Sequence, residues 1–291
     1  MEQIKKVLVV GCKGMAGHVV EEYLKNTGAY DTYGLARGVV SENNLINLDV
    51  FDIQKLEVIL ENHSFDVVIN CIGLLNKTAE DNPELAVWLN SYFPQFLAYL
   101  GTKHHFKLIH VSTDCVFSGK EGSYKENSFK NGIGFYAQSK ALGEVINTKD
   151  LTFRTSIIGP ELKEKGIGLF HWFMNQKAEV FGYTEAYWSG VTTLELAKGI
   201  HAGIQQDLSG LYQFVNNKKI SKYDLLSEFN NSFKNKLKLI PKSDYKIDKS
   251  LINTRKDFYY DIPTYQIMIK EMRQWIVENK NIYSHYKLMN F

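Results

Sequence analysis

The chain has little of what marks secreted, membrane-spanning or metal-binding proteins. It contains three cysteines in 291 residues, Cys12, Cys71 and Cys115, and their spacing is not that of metal ligands. An odd number of scattered cysteines is typical of reduced thiols in the cytosol. No apolar stretch approaches the ~20 residues that a membrane-spanning helix needs, and no signal-peptide h-region precedes the first predicted strand. We therefore expect a cytoplasmic protein without a bound metal.

The charge balance also argues against two classes of partner. The 34 basic and 32 acidic residues give a formal net charge of +2. Such a balance creates no strong field, so neither nucleic acid nor a membrane surface is an expected partner. Internal repeats and low-complexity segments are missing. With 291 residues, the chain is long enough to bury a full core and to build one large domain or two unequal ones.

The N-terminal segment has the pattern of a strand, a glycine turn and a helix. Residues 4–10 are a short, apolar, β-branched run, and Gly11, Gly14 and Gly17 follow with G-x-x-G-x-x-G spacing before a periodic segment. In such turns the first glycine permits a tight bend, the second lets the backbone approach a pyrophosphate, and the third lets helix and strand pack closely. The pattern predicts a dinucleotide site that includes Lys13 and Met15, although its spacing differs from G-x-G-x-x-G.

The end of the second predicted strand, residues 31–35, bears on the choice of dinucleotide. It is followed by Ala36-Arg37-Gly38, without an acid. An Asp or Glu there would bind a ribose 2′-hydroxyl, whereas Arg37 can pair with a 2′-phosphate. We therefore expect NADP(H) as the cofactor, with an exposed arginine in a turn as the alternative. Asp49 closes the predicted strand 45–48, where it is placed to meet the adenine edge or to act as a cap.

Strands and helices alternate through the following residues. Strands are predicted at 67–71, 106–112 and 152–158, and helices at 83–100 and 136–146. Strands separated by helix-length segments predict βαβ units, and hence an α/β, Rossmann-type, doubly wound parallel sheet. We assign 1–158, together with about 190–235, to this domain. Most of 159–291 is assigned to a smaller, discontinuous C-terminal substrate-binding lobe, with 211–215 returning to the main sheet before a helix at 222–233.

Tyr136 and Lys140 form the most informative pattern, because residues four apart share one helix face. A free tyrosine titrates near ~10, so proton exchange near neutrality requires a group that stabilises the phenolate, such as a cation one turn away. The alternative is a half-buried aromatic ring beside a snorkelling lysine. A strand at 107–111 ends in Ser112 and Thr113, and a hydroxyl there can hold a carbonyl oxygen beside the phenol. We select Thr113 before Ser112, with loop capping as the alternative.

Together these motifs resemble those of the extended short-chain dehydrogenases/reductases and, within them, the dTDP-4-dehydrorhamnose reductase group. The resemblance covers nearly the whole chain and rests on the glycine turn with Met15 and on segments 70–73, 112–119, 136–144 and 154–159. It implies that Tyr136 is the acid, that Lys140 lowers the Tyr136 pKa and binds the nicotinamide ribose, that Thr113 orients the substrate, and that Asn90 supports the active site. The family commonly has an aromatic residue where Cys115 stands.

The resemblance also implies a reaction and its binding residues. The expected reaction is the NADPH-dependent reduction of a 4-keto-6-deoxy nucleotide sugar, linked to dTDP or UDP, in deoxysugar and cell-surface polysaccharide biosynthesis, by a possible homodimer. The cofactor would contact the glycine turn, Arg37, Asp49, Cys71, Ile72, Gly73, Tyr136 and Lys140. The residues expected at the substrate are Thr113, Asp114, Cys115, Arg154, Trp188 and Thr192. Arg154 would face the diphosphate or form a structural ion pair, and Trp188 would line the pocket or the core.

Two other functions stay open. A nucleotide-sugar epimerase or 4,6-dehydratase on the same fold would retain bound NAD. Arg37 argues against this function, as does the presence of only one carboxylate, Asp114, near Tyr136. Relatives of the group also act as non-catalytic regulatory subunits that bind a dinucleotide and a partner enzyme. An intact set of Thr113, Tyr136 and Lys140 argues against that role, because binding alone needs no poised phenol.

Overall fold

The structure is a computed structural model that describes residues 4–234 and 236–287. The predicted domain limits at residues 1, 235 and 291 lie outside the described residues. In chain order the strands are β1 (Lys5–Val10), β2 (Tyr30–Ala36), β3 (Leu45–Asn47), β4 (Val67–Asn70), β5 (Lys107–Thr113), β6 (Leu151–Thr155), β7 (Ile157–Ile158), β8 (Glu179–Tyr183), β9 (Ala186–Trp188), β10 (Val191–Thr192), β11 (Gly210–Gln213), β12 (Ile220–Ser221), β13 (Lys238–Lys242) and β14 (Ile247–Asp248).

The helices pack around these strands. They are α1 (Gly17–Thr27), α2 (Ile53–His63), α3 (Asn76–Asp81), α4 (Pro83–Ala86), α5 (Phe93–Lys103), α6 (Phe135–Leu142), α7 (Leu169–Met174), α8 (Thr193–Gln205), α9 (Lys222–Phe229) and α10 (Tyr265–Glu278). A π-helical segment, Val87–Tyr92, joins α4 to α5, and a second one, Asn230–Lys234, follows α9. A short 3₁₀ turn, Asp114–Val116, follows β5.

A seven-stranded parallel sheet forms the centre of the molecule, in the order β11-β6-β5-β4-β1-β2-β3. Successive residues of a strand point to opposite faces of a sheet. Accordingly, Val7 and Val9 of β1 pack into one core cluster, and Leu8 and Val10 into another on the other face. Strands buried on both faces read as continuous apolar runs, which is why the sequence predicts them well. The predicted α/β Rossmann-type fold is confirmed.

The strand order reverses direction at β1. The chain runs from β1 through β2 to β3 on one side, and then crosses to β4, β5 and β6 on the other. In open parallel sheets, ligands bind in the crevice at the carboxyl ends of the strands where this reversal occurs. The glycine turn after β1 and the residues that follow β4 and β5 therefore meet at one edge of the sheet.

Several element boundaries differ from those predicted. The helix predicted at 136–146 ends at Leu142, because Gly143 lies against the backbone of the π-helical segment: a Cβ on Gly143 would stand 1.8 Å from the carbonyl oxygen of Asn90. The strand predicted at 152–158 divides into β6 and β7, and β7 leaves the main sheet to pair with β10. The predicted return to the main sheet is confirmed, because β11 pairs in parallel with β6.

Smaller sheets lie beside the carboxyl edge of the main one. They comprise β8 with β13, and β9 between β12 and β14. Helix α9 begins directly after β12, with the Ser221 hydroxyl accepting a hydrogen bond from the Asp224 amide at 3.0 Å. These elements bring residues from the last third of the chain to the edge where the glycine turn lies. Within residues 4–234 and 236–287, no helix is long and apolar enough to cross a lipid bilayer.

Candidate active site

The turn after β1 requires glycine at two positions. Gly11 has a φ of +86°, in the left-handed region that favours glycine. Gly17, the first residue of α1, packs so closely that a Cβ there would stand 2.2 Å from the Gly11 carbonyl oxygen. The Gly14 amide donates to the Gly11 carbonyl at 2.9 Å, which closes the turn. The amino end of α1 is thereby held at the carboxyl edge of β1, in the arrangement that suits a bound phosphate.

A cavity of about 420 Å³ extends from this turn across the sheet edge. Its walls come from the glycine turn, the ends of β4 and β5, helix α6, and the segments around β7, β9 and α9. The residues that line it include Gly14, Met15, Ala16, Cys71, Ile72, Gly73, Ser112, Thr113, Asp114, Cys115, Tyr136, Lys140, Glu161, Trp188 and Lys222. A second cavity of about 370 Å³ shares Cys115 and Tyr136 with the first and is also lined by Glu80 and Lys249.

Tyr136 lies between the two cavities, at the first turn of α6. The Glu80 carboxylate in α3 fixes this turn, since it accepts hydrogen bonds from the amides of Phe135 at 3.0 Å and Tyr136 at 3.1 Å. Burial raises the pKa of the phenol above its ordinary value, and a hydrogen bond with Thr113 acts in the opposite direction. The phenol therefore carries its proton at neutral pH.

Lys140 is buried one turn further along α6. Its ammonium group donates to the carbonyl of Val111 at 2.8 Å and lies 3.4 Å from Nε2 of His110. Burial lowers the Lys140 pKa to about 8. The resemblance predicts that Lys140 lowers the Tyr136 pKa. The groups that shift the Tyr136 pKa in the structure do not include Lys140. In this arrangement Lys140 is held by β5, and its effect on the phenol stays a prediction.

The end of β5 places three consecutive side chains at the cavity. The Thr113 hydroxyl accepts from the Cys115 amide at 3.1 Å and donates to the Asp114 carboxylate at 3.2 Å. Burial raises the pKa of Asp114, whereas the positive charges of Lys249 and Lys222 act to lower it. Thr113 thus stands between the Tyr136 phenol and a buried carboxyl group.

Comparisons with known proteins agree with this geometry. The family model described as the RmlD substrate binding domain matches residues 5–249. The chain belongs to this family. The dTDP-4-dehydrorhamnose reductase of Aggregatibacter actinomycetemcomitans is 29% identical over 160 residues, which are 52% of this chain and 51% of that protein. The probable low-salt glycan biosynthesis reductase of Haloferax volcanii is 30% identical over 161 residues, 52% of each chain. This chain thus spans about half the length of these curated relatives.

A solved structure of a dTDP-4-dehydrorhamnose reductase has the same fold. The Bacillus anthracis protein, determined in complex with NADP, superimposes with a TM-score of 0.79 at 20% identity, over 93% of this chain and 99% of that one. At this identity the likeness of the RmlD-family chain to that protein concerns the fold alone.

Two residues predicted at the substrate, Arg154 and Thr192, are buried and do not line the cavity in this RmlD-family protein. Arg154 is 1% exposed, and its Nε and Nη2 donate to the two carboxylate oxygens of Glu144 at 2.6 and 2.7 Å. Thr192 is also 1% exposed, and its hydroxyl caps α8 by accepting from the Glu195 amide at 3.1 Å. Both side chains are bonded inside the protein. For Arg154 the alternative of a structural ion pair is the one realised.

Other predicted residues do not line the cavity. Asn90 is fully buried and joins the loop after β4 to α6: its Oδ1 accepts from the Leu74 amide at 2.8 Å and its Nδ2 donates to the Ser139 hydroxyl at 3.1 Å. Lys13 is exposed beside the glycine turn. Arg37 and Asp49 lie at the ends of their strands, with Nη1 and Oδ2 3.5 Å apart and the arginine side chain 78% exposed.

The residues at the site that the sequence analysis does not predict include Glu80, His110, Lys222 and Lys249. The sequence contains a signal for His110, because a histidine within the apolar strand β5 is unusual. In the structure its ring contacts Lys140 and Asn70. The sequence contains no such signal for the other three residues. Glu80 acts on a helix 55 residues away in sequence, and the two lysines reach the cavity from distant elements of the smaller sheets.

Proposed function

We propose that this protein reduces a 4-keto-6-deoxy nucleotide sugar, linked to dTDP or UDP, with NADPH. The observation that carries the proposal is the meeting of Tyr136 and Thr113 in one cavity with the glycine turn at its other end. Membership of the RmlD family and the dTDP-4-dehydrorhamnose reductases among its relatives support the substrate class. A role in deoxysugar and cell-surface polysaccharide biosynthesis, in the cytoplasm, follows as part of the same proposal.

The residues of the cavity fit a dinucleotide. Gly14 leaves the backbone open to a diphosphate at the amino end of α1, and the backbone at Ile72 and Gly73 forms the facing wall. Arg37, 78% exposed just after β2, would exchange its surface ion pair with Asp49 for a 2′-phosphate, which accepts a bidentate pair of hydrogen bonds. NADPH bound in this way would supply the hydride.

The chain's own residues then handle the oxygen of the reduced carbonyl. The Thr113 hydroxyl positions that oxygen beside the Tyr136 phenol, and the phenol, protonated because burial raises its pKa, donates the proton. Lys140, held against the Val111 carbonyl, supplies the positive charge nearest to this step from α6. Donors fixed before the reaction stabilise developing charge without reorganising, and Glu80 and Asn90 supply that fixation.

We also propose that one part of the chain binds the cofactor and another part binds the nucleotide sugar. Residues 1–158 with about 190–235 would hold the cofactor, and most of 159–291 would hold the nucleotide sugar. The presence of Glu161 and Trp188 on the cavity wall supports this division, since both lie between β6 and residue 190.

The decisive experiment is NADPH oxidation with dTDP- and UDP-linked 4-keto-6-deoxy sugars, by Tyr136→Phe beside wild type. We expect the variant to bind NADPH as wild type does and to lose about 10²–10⁴-fold in kcat, the usual contribution of a general acid. Tyr92→Phe, on the exposed face of the π-helical segment, is the matched control and should keep full activity. A Tyr136→Phe variant with wild-type kcat would refute the assigned role.

The same preparation separates the two alternative functions. Stoichiometric NAD released on denaturing the purified protein would favour an epimerase or dehydratase. Inactivity with every dTDP- and UDP-linked substrate would favour a non-catalytic dinucleotide-binding subunit. Against the dehydratase, the other carboxylates at the cavities, Glu80 and Glu161, already accept hydrogen bonds from backbone amides.

A further inference from the structure

Arg154, the cation predicted at the diphosphate of the substrate, is bonded to Glu144 and lines neither cavity. Among the described residues, the cations that line the two cavities are lysines: Lys77, Lys140, Lys222 and Lys249. Lys77 is paired with Asp81 at 2.8 Å, and Lys140 donates to the Val111 carbonyl. Lys222 and Lys249 remain as the candidates.

Lys222 is the first residue of α9, and its ammonium group lies 5.2 Å from the centre of the Trp188 ring. Ion pairs within 4 Å are absent for this lysine in the part of the chain that the structure describes. An aromatic face holds a cation in place but does not neutralise it. Lys222 is therefore a positioned positive charge at the cavity wall with room for an anion.

Lys249 approaches the same point from the segment after β14. Its side chain reaches the Cys115 thiol, and the charges of both lysines act on the Asp114 carboxyl. Two lysines around one buried carboxyl leave a net positive charge even when Asp114 is ionised. Cys115 stands at the junction of the two cavities, so this charge faces the space next to Thr113 and Tyr136.

We propose that Lys222, assisted by Lys249, binds the diphosphate of the nucleotide-sugar substrate. A lysine binds phosphate as a point charge, and burial in a partly closed cavity strengthens the attraction. The proposal rests on the proposed function for the identity of the ligand. We do not assign the cofactor phosphates to these lysines, because the amino end of α1 at the glycine turn, at the other end of the cavity, is their expected binding site.

The test measures binding of nucleoside diphosphates, without turnover, to protein saturated with NADP⁺. dTDP, UDP, thymidine and uridine are titrated by calorimetry into wild type, Lys222→Met and Lys222→Arg. Methionine keeps the helical propensity and much of the apolar stem, so only the charge is lost. We expect Lys222→Met to lose about 10- to 100-fold in affinity for dTDP or UDP, with no change for the nucleosides. Lys222→Arg should recover most of the loss.

Lys219→Met is the matched control. Lys219 also lies over an aromatic ring, that of Tyr187 at 4.3 Å, but its charge is paired with Asp248 at 2.7 Å. This control should bind nucleoside diphosphates as wild type does. Far-ultraviolet circular dichroism and the NADP⁺ dissociation constant verify that each variant is folded.

Three results would overturn the inference: no binding of dTDP or UDP by wild type, equal affinity in Lys222→Met, or a loss confined to NADP⁺. The site and the reductase assignment can fail separately in these experiments. If Lys222→Met lowers dTDP or UDP affinity while no sugar is reduced, the site stands and the reaction is wrong. If the sugar is reduced with an unchanged KM in Lys222→Met, the reaction stands and the site is wrong.

Discussion

At the scale of single residues, Arg154 shows that the sequence alone does not distinguish an arginine of a buried ion pair from an arginine that binds a ligand. It follows the start of a strand whose end reaches the cavity, yet Glu144 holds its guanidinium through two hydrogen bonds, and the Phe117 ring lies 5.0 Å from it. Burial acts to raise the Glu144 pKa, but Arg154 and Lys130 outweigh it and hold the pKa below its usual range. The pair is therefore charged and structural.

Arg154→Met is expected to destabilise the protein by about 3–5 kcal/mol, because it leaves the Glu144 carboxylate buried without its main partner. The double variant Arg154→Met/Glu144→Leu should be more stable than this single variant, since it removes both charges. Urea unfolding followed by tryptophan fluorescence measures the difference. Unchanged stability of Arg154→Met, together with a raised KM for the nucleotide sugar, would restore Arg154 to the substrate site.

The residues that sequence reasoning places at the site are those whose chemistry depends on neighbours in sequence. Tyr136 and Lys140 share a helix face, and Thr113 ends a strand; all three line the cavity. Arg154 and Thr192 do not line the cavity, because Glu144 and the amide of Glu195 bind their side chains inside the fold. A sequence shows that a side chain is polar, but not which group has already bound it.

At the scale of elements, the turn between β1 and α1 depends on a contact between two glycines. The Cβ of an alanine at position 17 would stand 2.2 Å from the Gly11 carbonyl oxygen and 3.1 Å from the Cα of Cys12. Both obstacles are backbone atoms, which cannot move aside as a flexible side chain does. Helix α1 would have to shift away from the turn.

Gly17→Ala is therefore expected to lower the free energy of unfolding by about 1–3 kcal/mol and to weaken NADPH binding through the displaced turn. Gly28→Ala is the matched control in the same helix. Gly28 caps α1 with a φ of +65°, but a Cβ there meets no atom within 4 Å, so alanine should cost only the backbone strain and leave NADPH binding unchanged. Equal NADPH affinity in both variants would contradict the account of the turn.

The elements of the main sheet were predictable because their signals are local. Buried apolar runs mark the parallel strands, and β11 was correctly returned to the sheet. The end of α6 was not predictable, because the contact that stops it joins Gly143 to the Asn90 carbonyl, 53 residues earlier. Boundaries set by such tertiary contacts leave no pattern in the segment itself.

At the scale of the whole molecule, the last described residues pack against the first helix. Tyr283 donates its hydroxyl hydrogen to Nε2 of His18 at 2.7 Å, and Nδ1 of His18 donates to the Gly14 carbonyl at 2.8 Å. The indole N–H of Trp275 donates to the Tyr283 oxygen at 3.1 Å. This chain of hydrogen bonds runs from α10 to the glycine turn, and burial, which lowers the His18 pKa to about 4, keeps His18 neutral within it at pH 7.

The neutral state of His18 makes the stability of the whole fold depend on pH. Burial lowers the His18 pKa to about 4, whereas the unfolded chain retains a value near ~6.5. Between these values the unfolded chain binds a proton that the folded chain does not, so the free energy of unfolding falls as the pH falls. Burial also lowers the pKa of His110, which adds a loss of the same sign.

We expect acidification from pH 7 to pH 4.5 to reduce the free energy of unfolding, with His18 contributing on the order of 3 kcal/mol at most. In His18→Gln the amide can donate to the Gly14 carbonyl and accept from Tyr283, but it does not titrate, so the loss on acidification should be smaller than in wild type. Urea unfolding of both proteins at pH 7, 5.5 and 4.5 measures this difference. An identical pH dependence in the two proteins would show that His18 is not the group whose protonation opposes folding, and the hydrogen-bond chain from Trp275 to Gly14 would then have to tolerate a charged imidazole.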